Sequence, residues 1–141
     1  MFALDGRTER RMTKIHATTL GDRLLSETMD WPASWKGVAE DVPLGYALVK
    51  EMLPFLQGLV ASGAAPTTLR RHFSNAWVLG GYIVRQVAIE RGAPPTAALD
   101  LILEEIDENG GPPMVGFVTD QEQRSFDSTC RYLSRFLRQS G

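Results

Sequence analysis

Apolar residues recur at helical spacing along most of the chain. Leu20, Leu24, Leu25 and Met29 predict a short amphipathic helix over Thr19 to Met29. In Asp30-Trp31-Pro32-Ala33-Ser34-Trp35, Asp30 can cap a following turn, and proline is tolerated in a first helical turn. Trp31 and Trp35 then share one face, suited to anchoring this segment on a core or to holding a ligand. Leu44, Leu48, Met52, Phe55, Leu56 and Leu59 predict a long helix from Pro43 to Ser62. Pro54 should kink it, because its ring opposes the carbonyl of Lys50 and it has no N–H. Gly63 is a natural stop.

A second long helix starts at Ala64-Ala65-Pro66-Thr67-Thr68 and runs to about Arg91. Its apolar line is Leu69, Phe73, Ala76, Trp77, Gly80, Ile83, Val84 and Val87. Gly80-Gly81 in mid-helix costs about 1 kcal/mol per glycine relative to alanine. Close approach of another helix backbone, or a kink, would account for it. Gly92-Ala93-Pro94-Pro95 ends the element.

Thr96 to Glu108 reads as a third helix with Leu99, Ile102, Leu103 and Ile106 inward, stopped by Asn109-Gly110-Gly111-Pro112-Pro113. Met114 to Val118 reads as a loop packed on the core, or as a short extended segment. Thr119-Asp120-Gln121-Glu122 is a capping box opening a last helix to about Arg138. Phe126, Cys130, Leu133, Phe136 and Leu137 give that helix its buried face. The expected architecture is all-α, a four- to five-helix bundle-like domain over residues 17–141 behind a flexible tail of residues 1–16. Met12 is an alternative start to Met1.

Composition narrows the function classes. The chain has 141 residues, 43% of them hydrophobic and 23% charged, which is globular and not disordered. A net charge of -2 supplies no global field for nucleic acid, so a polyanion site has to be a local patch. One cysteine, Cys130, excludes an intrachain disulfide and suits a reducing compartment. No segment approaches the roughly 20 apolar residues of a membrane span. The N-terminus has no signal-like apolar run. The expectation is a soluble cytoplasmic protein without a membrane partner.

Catalytic patterns are missing. The histidines are His16 and His72, and no Cys/His spacing suits zinc. Phosphate-loop and nucleophile-elbow motifs are absent. We therefore expect no enzyme, no catalytic residue, no metal and no cofactor, with Cys130 as a small buried hydrophobe.

Charge is segregated instead. Asp100, Glu104, Glu105, Asp107 and Glu108 crowd the third helix, and no Lys or Arg lies between Gly92 and Gln123. Arg124, Arg131, Arg135 and Arg138 fall within about 60° of one another at 100° per residue, opposite the apolar stripe. Arg70, Arg71 and His72 form a second cluster. Twelve of the 15 basic residues are arginine, whose fork suits phosphate or carboxylate. These residues can form a nucleic-acid surface. They can also be solvated, or paired with the acidic helix within the fold or across a homodimer.

Between Tyr46 and Val87, about a third of the chain, Phe55-Leu56, Leu59, Gly63, Pro66, Thr68-Leu69-Arg70-Arg71-His72 and Ser74 follow a recognisable order. This stretch resembles the N-terminal core-binding (SAM-like) domain of tyrosine recombinases and phage integrases, two bundle helices that clamp DNA. The resemblance implies that Thr67, Thr68, Arg70, Arg71 and His72 approach a DNA backbone. No catalytic domain of that family follows before Gly141, so it implies a DNA-binding accessory module and not an active recombinase. The segments around Asp30-Trp31-Pro32 and Gln123-Arg124-Ser125-Phe126-Asp127 are similar to a family of small bacterial proteins from which no activity carries over. The alternative is a protein-interaction or oligomerisation domain that binds a partner or itself and no nucleic acid.

Overall fold

A computed structural model describes residues 20–90 and 97–139. The expected tail at residues 1–16 and the stop at 92–95 lie outside them. Helix α1 spans 20–27 and passes through a 3-10 turn, Thr28–Asp30, into α2, Trp31–Trp35. Helix α3 is Asp41–Ala61, α4 is Pro66–Ile89, α5 is Ala98–Glu105 and α6 is Asp120–Gln139. The fold is all-α, and the described residues contain no strand. None of their helices is long and apolar enough to cross a membrane.

Helices α3 and α4 form a hairpin turned at Gly63, whose φ of 76° is left-handed and favours a residue without Cβ. Leu48, Met52 and Leu56 of α3 meet Leu69, Phe73, Ala76, Leu79, Ile83 and Val84 of α4 in the core. Helix α6 adds Phe126, Cys130, Leu133 and Leu137, at helical spacing on one face. Short α5 contributes Ile102, and Ile106 follows it into the core.

Three local expectations change. Asp30 makes no capping hydrogen bond, because the 3-10 turn feeds helical backbone straight into α2. Pro54 lies inside α3, whose helical span includes it. Lys50 and Pro54 are both exposed, so the carbonyl that loses its donor faces water.

Gly80 and Gly81 are met by an indole and not by a backbone. A Cβ at Gly80 would overlap the ring of Trp35, and one at Gly81 would lie 3.1 Å from Trp35 Cδ1. Helix α5 ends at Glu105, three residues early. Asp107 donates its N–H to Gly110 O at 2.9 Å, and the carbonyl of Leu103 accepts Arg138 Nη2 at 3.1 Å. The helical partners at that position are therefore both engaged elsewhere.

The capping box forms as expected. Glu122 N–H donates to Thr119 Oγ1 at 3.1 Å, and Thr119 N–H to Glu122 Oε1 at 3.3 Å. The 112–119 loop packs only in part. Met114 lies against the core and its N–H donates to Gln123 Oε1, whereas Val115 and Phe117 are 70% and 110% exposed.

Candidate functional site

A polar seam joins α4 to α6. His72 and Asn75 lie one turn apart on α4, and both face Thr129 of α6. His72 Nδ1 is 2.8 Å from Thr129 Oγ1, and Asn75 Nδ2 donates to the same oxygen at 2.9 Å. Asn75 also donates to the Ser125 carbonyl and hydroxyl, both at 3.1 Å.

Arg71 Nη2 stands 3.2 Å from His72 Nε2. A guanidinium can only donate, so Nε2 is the acceptor and Nδ1 carries the proton. The imidazole is therefore neutral. Burial, and then the adjacent Arg71 charge, lower its pKa from 6.5 to about 4. No buried side-chain nitrogen or oxygen among the described residues lacks a partner.

Aromatic rings carry this seam to the surface. His72 lies between Phe55 and Tyr132, with ring centroids 6.3 and 5.9 Å away, both edge-on. Tyr132 is half exposed, and Arg135 holds its guanidinium carbon 5.9 Å from the Tyr132 ring centroid. Arg71, Tyr132 and Arg135 thus stand along one seam, with exposed Arg131 one turn before Arg135. No Asp or Glu occurs between Met52 and Ile89, or from Ser128 to the end of the sequence. The two segments that meet here bring no carboxylate of their own.

The arginines expected to act together divide. Arg70 points away from the seam, into a shallow groove with Arg23, Trp31 and Trp77. His72 is 3% exposed, so it supports Arg71 and does not itself reach a phosphate. Arg138 stays exposed but spends its donors within the protein. Its Nη2 donates to the carbonyls of Leu103 and Ile106 at 3.1 and 3.0 Å, and its Nε to Ser134 Oγ at 2.9 Å. Arg124 is exposed on the same helix. Thr67 is exposed and Thr68 half-buried in the first turn of α4, where Ala65 provides no side-chain cap.

Arg138 meets the acidic segment through two of its backbone carbonyls and not through its carboxylates. No ion pair among the described residues joins Asp100, Glu104, Glu105, Asp107 or Glu108 to α6. Glu105 has its pKa raised by burial, and further by Glu104 and Glu90. No group of His, Cys, Asp and Glu among the described residues is arranged to hold a metal ion. Burial, then Asp127, push the Cys130 thiol up to about 12.

Sequence reasoning missed two features. One is Tyr132, which shares a turn with Arg131 and Arg135 and could have been singled out as an aromatic among arginines. The other is a groove of about 580 Å³ between Trp35, Trp77, Tyr82, Arg85, Ala88 and Met114, for which no local pattern speaks. Comparison with known proteins finds no matching family model, no matching curated relative and no matching solved structure.

Proposed function

We propose that this chain is a non-catalytic module that binds nucleic acid, DNA foremost, by its phosphate backbone. The contacting face is the start of α4 together with the C-terminal half of α6. The supporting observation is the seam of Arg71, Tyr132 and Arg135, flanked by Arg131, in two segments that carry no carboxylate. Three guanidiniums suit phosphate oxygens, and a half-exposed phenol ring suits a sugar or base. The same start of α4 carries the resemblance to integrase core-binding domains. That resemblance favours an accessory role in recombination or a mobile element.

Binding of a short labelled duplex, followed by anisotropy across a salt series, tests the reading. Three phosphate contacts predict a slope of log K against log salt of roughly -2.7. Affinity then falls about fortyfold between 50 and 200 mM salt. The triple variant Arg71→Ala, Arg131→Ala, Arg135→Ala should lose the salt-dependent part. Arg70→Ala, in the other groove, should change little. Absence of binding at low salt, or a triple variant that binds like the parent, would sink the proposal.

A further inference from the structure

The 580 Å³ groove adjoins the loop that carries Val115 and Phe117. The groove wall presents indole faces whose N–H groups are already used. Trp35 Nε1 donates to Trp77 O at 3.0 Å, and Trp77 Nε1 donates to Ser34 Oγ at 2.9 Å. An apolar ring can enter without leaving either donor unmet. Val115 lies on the rim. Two residues on, Phe117 stands in solvent at 110% exposure. Gly116, at φ 98°, turns the chain between them.

The loop is held at its base, since Gln123 accepts the N–H of Met114 and donates to Pro112 O. Phe117 is therefore presented outward by a braced loop. Ile89, the residue after Ala88 of the groove wall, is a further exposed apolar side chain. Such a patch on a single chain marks an interaction surface.

Charge selects the occupant. The groove lining carries Lys36 and Arg85 against one carboxylate, Asp41, whose Oδ2 accepts the N–H groups of Gly37 and Val38. The segment that bears Phe117 has no cation back to Gly92, and it runs directly into Asp120 and Glu122. A ring followed by two carboxylates fits an aromatic groove bordered by two cations. Phe117 is two residues from Val115 of the groove lining, so the ring and the groove belong to the same part of the surface. A self-complementary patch of this kind is what a twofold interface requires.

We propose that this face binds a second copy of the chain, each copy seating its Phe117 loop in the other's groove. Asp120 and Glu122 of one copy then approach Lys36 and Arg85 of the other. The paired rings supply the apolar centre and the charges supply the rim.

Light scattering on the purified full chain over a concentration series is the experiment. The expected mass rises to twice the 15.6 kDa chain. Phe117→Asp removes the inserted ring from an exposed position, so the variant should be monomeric with an unchanged circular-dichroism spectrum. Ala88→Arg blocks the groove and should also be monomeric. An equal mixture of the two variants should recover dimer. One ring still enters one open groove, and the introduced carboxylate and guanidinium face each other at the second contact. A parent chain that keeps single-chain mass throughout, a dimer that survives Phe117→Asp, or a mixture that stays monomeric overturns the proposal. A parent monomer that retains an acidic aromatic peptide assigns the groove to a different occupant and overturns it equally.

Discussion

His72 spends its two ring nitrogens on one hydroxyl and one guanidinium, and the guanidinium contact requires a neutral ring, because Nε2 has to accept. Protonation would set a cation against Arg71 inside the protein. The folded pKa, about 4, is below the ordinary 6.5. Between those values the unfolded chain binds the proton and the folded chain does not. This contribution to stability is complete above about 6.5 and is lost as pH falls towards about 4. Urea unfolding of the parent chain should therefore weaken over that window. His72→Gln, less stable at neutral pH, should show a shallower slope there. Parallel slopes would place the acid sensitivity elsewhere. The histidine was legible in the sequence, but its role was not, because its burial brings together Phe55, His72 and Tyr132 from three different helices.

Helix α4 tolerates two central glycines because α2 lays Trp35 across them. Gly80→Ala gains helix propensity of about 1 kcal/mol but drives a methyl into a ring tied to Trp77 O. Overpacking of this kind costs typically 1–3 kcal/mol, so the net change should be destabilising by up to about 2 kcal/mol. Gly58 in α3 is the control. A Cβ there meets nothing within 4 Å, so Gly58→Ala should stabilise by up to about 1 kcal/mol. Denaturant midpoints decide both, and a stabilising Gly80→Ala would show that Trp35 gives way. Helix starts marked by local chemistry, such as Thr119 with Glu122, were readable in advance. The early end of α5 was not, since it depends on Arg138, 32 residues beyond Ile106.

At the scale of the whole molecule, Cys130 reports on the core shared by α3, α4 and α6. Its thiol is buried, with pKa pushed up to about 12. Labelling should be slow in native buffer, become fast in denaturant, and follow the global unfolding curve. Fast native labelling would mean that α6 opens separately from the rest. The amphipathic repeat decided that Cys130 faces inward, along with the all-α class, the hairpin at Gly63 and the opening of α6. Each depends on residues within a few positions of one another, where helical geometry dictates the outcome. Tertiary structure alone decided which arginines share a face. Arg70 and Arg71 are neighbours in sequence, yet about 100° of helical rotation sends Arg70 to the groove with Trp77 and Arg71 to the seam with His72. Arg138 is tied to the carbonyls of Leu103 and Ile106, while Arg71 joins Arg135 through the rings of His72 and Tyr132. Such partnerships depend on how separate helices pack, and a spacing rule within one helix does not contain that information.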